Sequence, residues 1–80
     1  MPLIESQEES PLQKKIIQIW KDVFELEEIS GQDDFYTLGG DSIILMRLVD
    51  EMNVTLGCNI SVDDILQSEN ILELSTKIGM

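Results

Sequence analysis

The chain has 80 residues and a formal net charge of −11, from 5 basic and 16 acidic side chains. That length bounds it to one small domain with a modest core, and the charge excludes the basic footprint that nucleic-acid binding needs. With no histidine and one cysteine, it lacks the commonest general base, the ligands of a structural zinc site and any internal disulfide, which suits a reducing cytoplasm.

A hydrophobic fraction of 42% supports a compact fold. The aromatics are few (Trp20, Phe24, Phe35 and Tyr36), so Ile, Leu, Val and Met must build most of the core. No stretch resembles a signal peptide or reaches membrane-spanning length, so no membrane contact is expected. The acidity favours protein partners with basic surfaces, whose approach it accelerates, and it also maintains solubility.

Residues 1–9 are polar and acidic, with Glu5, Glu8 and Glu9, and read as a flexible tail that leaves 10–80 as the folded domain. Ser10 is placed to cap the first helix. Pro11 suits its first position, and Gln13 completes a capping box. Leu12, Ile16, Ile17, Trp20, Val23 and Phe24 follow at helical spacing, which predicts one buried stripe on a helix ending near Leu26. The stretch from Glu27 to Asp41 is long for a loop in so small a domain. Phe35, Tyr36 and Leu38 give it apolar groups to bury, so an ordered crossover packed over the helices is expected.

The second helix is expected from Asp41 or Ser42 to about Leu56, with Gly57 as its stop. Leu45, Leu48, Val49 and Met52 share one face, Ile43 points almost opposite, and Met46 lies on the flank. Ser61 and Asp64 form a capping pattern ahead of a short helix that carries Val62, Ile65 and Leu66. Asn70 and Glu73 open the last helix. Ile71, Leu74 and Ile78 supply its buried face, and Lys77 suits its C-terminal end. Period-2 strand patterns are absent. The fold class is therefore all-α, a bundle of three main helices plus one short helix, with a long loop between helices one and two.

The chemistry concentrates at Leu38-Gly39-Gly40-Asp41-Ser42-Ile43. By local propensity Ser42 is a helix cap. As a nucleophile it would need a base: the Gly-Asp-Ser-Ile string superficially resembles an esterase signature, but such enzymes need a histidine and a larger fold. Nothing places Lys14, Lys15, Lys21 or Lys77 beside Ser42 for a Ser-Lys dyad. Asp33-Asp34 and Asp63-Asp64 lack the spacing of a calcium loop and read as solvated surface or N-terminal helix charges. No metal site is expected. The third reading is attachment. A serine at a helix N-terminus offers an accessible hydroxyl, a phosphate there meets unpaired N–H groups, and the glycines leave room for a partner enzyme.

The run from Asp33 to Ile43 closely resembles the attachment motif of peptidyl carrier proteins, the thiolation domains of nonribosomal peptide synthesis within the acyl carrier superfamily. The resemblance continues through Ile60–Ile78 and spans about residues 10–79. It implies a four-helix carrier fold, without catalysis of its own, in which Ser42 bears phosphopantetheine delivered from coenzyme A by a phosphopantetheinyl transferase. The thiol of that arm holds aminoacyl or peptidyl groups as thioesters and presents them to adenylation, condensation or other synthesis enzymes. By the same resemblance Gly39, Gly40 and Asp41 frame the attachment serine. Ile43 and Met46, with Leu38 and Arg47 beside them, belong to the docking face.

Gly39-Gly40 resembles the peptidyl branch, whereas the acidity pulls towards carriers of fatty acyl or polyketide units. A helical interaction module without cargo is a further alternative. Two residues depart from the family pattern. Leu45 stands where many members have a small residue, and Glu69-Asn70 replaces the usual Pro-Thr, with Asn serving equally as a cap. A monomeric, free-standing carrier is expected.

Overall fold

The computed structural model describes residues 10–79, so the tail expected over 1–9 lies outside the described residues. Four helices follow in order: α1 (Pro11–Phe24), α2 (Ser42–Leu56), α3 (Val62–Gln67) and α4 (Ile71–Gly79). α1 packs on both α2 and α4, and α3 bridges α2 and α4.

Local chemistry starts each helix. Ser10 Oγ accepts from the Gln13 N–H at 3.2 Å, and the Gln13 side chain accepts from the Ser10 N–H at 3.2 Å. This reciprocal pair satisfies two donors that the first turn leaves orphaned. α1 stops at Phe24, short of Leu26, because Glu25 adopts a left-handed φ of 61° and its N–H closes on the Lys21 carbonyl. Ile19 is buried although it falls outside the expected stripe, while Phe24 is only half-buried. Contact with two helices rather than one widens the arc of α1 that must be apolar.

Asp41 caps α2, its Oδ1 accepting from the Ile44 N–H at 2.9 Å, and Gly57 ends the helix at a φ of 66°. Leu45, Leu48 and Met52 are buried, with Val49 half-buried beside them. Leu45 is thus accommodated in the core. Asn53 then reaches across the α2–α3 loop, accepting from the Ile60 N–H at 2.8 Å and donating to the Ile60 carbonyl at 3.1 Å. Ser61 and Asp64 form the box that starts α3, which buries Ile65. Asn70 Oδ1 accepts from the Glu73 N–H at 2.8 Å, and the Glu73 carboxylate accepts from the Glu69 N–H. Ile71 and Leu74 complete the core.

The long loop is ordered by bonds and burial together. The Ile71 and Leu72 N–H groups donate to the Asp33 and Gly31 carbonyls at 3.2 and 3.0 Å, tying the loop to the start of α4. Ile29 and Phe35 enter the core, whereas Tyr36 turns outward at 63% exposure, against the expectation that it would be buried. The two rings meet edge-on at 5.6 Å.

Asp33 and Asp34 are also more than solvated charges. Asp33 Oδ2 accepts from the Ser30 N–H at 2.9 Å, and Asp34 Oδ1 accepts from the Thr37 N–H at 3.0 Å. Hydrogen bonds from the Thr37 side chain and backbone hold the Asp34 carboxyl below its ordinary pKa of 3.8.

Candidate functional site

The site is the junction where the long loop becomes α2. Two turns of backbone deliver the chain to it: the Gly39 N–H donates to the Tyr36 carbonyl at 3.0 Å, and the Gly40 N–H donates to the Phe35 carbonyl at 3.0 Å. Gly39 holds a φ of 87°, which L side chains rarely adopt, in otherwise open space. Gly40 is constrained differently, because a Cβ at this position would meet the Phe35 ring. The expectation that both glycines simply leave room for a partner is therefore corrected for Gly40, whose missing side chain makes room for the core.

Asp41 supplies the cap, and Ser42 occupies the first helical position, exposed. The two functions that the sequence left merged on Ser42 are divided between neighbours. Asp41 spends its carboxylate on the Ile44 N–H, which leaves the Ser42 hydroxyl out of the cap. The first ladder bond of the helix runs from the Leu45 N–H to the Asp41 carbonyl at 2.8 Å. The Ser42 and Ile43 N–H groups precede that ladder, the position at which a helix favours a phosphate.

On the first turns of α2 the exposed apolar groups are Ile43 at 72% and Met46 at 62%. They sit three residues apart and so share a side of α2. Arg47 is exposed on the adjoining flank, where it lines a groove of about 500 Å³ between α1 and α2 with Glu51, Thr55, Lys15, Asp22 and Ile19. Leu38 is half-buried and packed against the core, so little of it is offered to a partner. Sequence reasoning did not single out Val54, which is 75% exposed near the far end of α2. Its position 11 residues, about three turns, beyond Ile43 on the same helix was the available signal.

Among the described residues, no group of His, Cys, Asp and Glu is arranged to hold a metal ion. Among them, too, no helix is long and apolar enough to cross a membrane.

Comparison with known proteins connects this geometry to a family. A family model described as a phosphopantetheine attachment site matches residues 14–78. A nonribosomal peptide synthetase of Aspergillus flavus is 38% identical over 68 residues, covering 85% of this chain and 2% of that protein. The chain spans no more than 5% of the length of the first curated relatives it matches. Among solved structures, a nonribosomal PCP domain superposes with a TM-score of 0.71 at 24% identity, covering 95% of this chain and 90% of that one. The McyG A-PCP structure complexed with phenylalanyl-adenylate gives a TM-score of 0.80 at 24% identity, covering 88% of this chain and 11% of that one. These superpositions show the carrier fold, as the helical order predicted.

Proposed function

Because the chain belongs to the phosphopantetheine attachment-site family, we propose that it is a peptidyl carrier domain of nonribosomal peptide synthesis with Ser42 as its attachment residue. The observation that carries this reading is an exposed serine at the first position of α2 whose neighbour, Asp41, makes the capping bond in its place. The relatives named as nonribosomal peptide synthetases support the peptidyl branch.

The residues at the junction fit the group. A phosphate ester on Ser42 would lie beside the N–H groups of Ser42 and Ile43 and at the positive end of the helix dipole. Asp41 carries a like charge, so its part is to hold the helix start rather than to bind the phosphate. In the modification, Ser42 Oγ forms a bond to the phosphorus that carries pantetheine in coenzyme A. The diphosphate P–O bond breaks, the adenosine bisphosphate leaves, and the serine proton passes to a base on the transferase. The chain has no histidine to take that proton itself. When attached, the arm supplies a thiol that holds an aminoacyl or peptidyl group as a thioester.

Ile43 and Met46 offer an apolar contact next to the modified serine, with Arg47 at its edge. The proposed partners are a phosphopantetheinyl transferase and the adenylation and condensation enzymes that load and use the carrier. A net charge of −11 favours partner surfaces bordered by basic residues and opposes self-association, which supports a monomeric carrier. The reading is the same whether the domain works alone or within a longer synthetase.

The test is incubation with coenzyme A and a broad-specificity transferase, followed by mass spectrometry. The expected result is one phosphopantetheine on the wild type and none on Ser42→Ala. An unmodified wild type, or an undiminished gain on Ser42→Ala, refutes the assignment. Loading of the modified chain by an amino-acid-activating enzyme then supports the peptidyl branch, and loading by an acyl or malonyl transferase instead overturns it.

A further inference from the structure

We propose that Phe35 is a positioning residue for Ser42 and acts through Gly40, an inference that rests on the reading of Ser42 as the attachment serine. A Cβ on Gly40 would lie 2.4 Å from both Cε1 and Cζ of Phe35 and 2.7 Å from Cδ1. Only a hydrogen fits between this stretch of backbone and the ring.

The ring is seated in the core. It is 5% exposed, with Phe24 edge-on at 6.0 Å and Tyr36 edge-on at 5.6 Å. Its own backbone is pinned as well. The Phe35 carbonyl accepts from the Gly40 N–H, and the Asp34 carbonyl accepts from the Leu38 N–H. Farther back, α4 holds the Gly31 and Asp33 carbonyls. The ring is thus a fixed wall of the core. Gly40 rests on it, separated from Ser42 only by the capping residue.

The two glycines therefore do different work. Gly39 turns the chain through a φ of 87° in open space. Gly40 sets the register of the chain against the ring. Ser42 inherits its position from the core rather than from a mobile loop, which is how a reactive group is held ready for a partner enzyme. Relaxing a 2.4 Å contact to the ordinary 3.4 Å moves the backbone by about 1 Å, and a displacement of that size costs about a hundredfold in a positioned reaction.

The experiment follows phosphopantetheinylation by mass spectrometry, with coenzyme A and a broad-specificity transferase. It compares wild type, Gly40→Ala, Gly40→Ala with Phe35→Leu, and Gly39→Ala with and without Phe35→Leu. Leucine lacks the Cε1 and Cζ atoms that the new Cβ would strike most closely, and its tetrahedral Cδ methyls can turn away from the third contact, at Cδ1, as a planar ring cannot. Gly40→Ala is expected to lower kcat/KM about a hundredfold, with the loss falling on kcat. Adding Phe35→Leu is expected to restore about tenfold or more of that loss. The same addition is expected to restore nothing in Gly39→Ala, whose defect is conformational.

A wild-type rate in Gly40→Ala, a loss confined to KM, no recovery with Phe35→Leu, or equal recovery in both glycine backgrounds would overturn the proposal. A wild type that gains no mass refutes the assignment of Ser42 instead. If Gly40→Ala does not fold, amide exchange in Phe35→Leu alone decides. Loss of the wall is expected to speed exchange at Ile44, the amide held by the Asp41 cap, about tenfold relative to Leu48. An unchanged ratio overturns the proposal.

Discussion

Replacing Asn53 by alanine tests whether one side chain sets the path from α2 into α3. The carboxamide makes two bonds to a single residue seven positions on, accepting from the Ile60 N–H at 2.8 Å and donating to its carbonyl at 3.1 Å. Ile60 is only 8% exposed, so water reaches its backbone poorly once the amide is gone. Each bond contributes about 0.5–1.5 kcal/mol net, and a buried group left bare costs about 1–3 kcal/mol. Together these put the loss at about 2–3 kcal/mol. For a domain of this size that lowers Tm by about 8–24 °C, out of a total stability of about 4–12 kcal/mol.

Urea unfolding followed by circular dichroism is the assay. The expected result is a lower midpoint at an unchanged m-value, which isolates stability from a change in compactness. Asn53→Asp keeps an acceptor for the Ile60 N–H but turns a carboxylate towards the Ile60 carbonyl, so it should recover no more than about half of the loss. A loss under about 0.5 kcal/mol in Asn53→Ala would refute the reasoning, because it would place the bridge among ordinary surface contacts.

Opposite sides of α2 should respond in opposite ways. Leu48→Ala, at a position with 0% exposure, is expected to destabilise by about 2–5 kcal/mol in the same unfolding assay. Ile43→Asp, at 72% exposure, should stay within about 0.5 kcal/mol of wild type. It should nevertheless weaken binding to an amino-acid-activating partner by about tenfold or more in a titration; a reversal of the two phenotypes would invert the assigned faces. At acid pH, Asp34 should matter through Thr37. Its folded pKa lies below 3.8, so its contribution is complete above that value and is lost as pH falls through the lower folded one. The difference in Tm between wild type and Asp34→Asn should shrink across that window, and a difference independent of pH would exclude the carboxylate as its source.

Much of this protein follows from neighbours along the chain. Ser10 with Gln13, Asp41 with Ile44, Ser61 with Asp64 and Asn70 with Glu73 each satisfy helix ends over a span of three residues. Such pairs are legible because the helix geometry that uses them is local. The outward side of α2 is legible for the same reason. Ile43 and Met46 lie off the face of Leu45, Leu48 and Met52 by helical period alone, and they are exposed as that period requires.

What remained hidden depends on groups brought together from afar. Propensity cannot tell that Phe35 turns in and Tyr36 out, because the core behind Phe35 includes Phe24 from α1. Ile19 is buried on a helix that packs against both α2 and α4. Gly39 and Gly40 look equivalent in sequence, yet one answers to a dihedral angle and the other to an aromatic ring. The sequence by itself determined the helices, their caps and the serine that opens α2, since each rests on contacts within a turn or two. Tertiary structure decided where the long loop lies and how firmly it holds that serine, because the ring and the carbonyls that fix it are seated against α1 and α4.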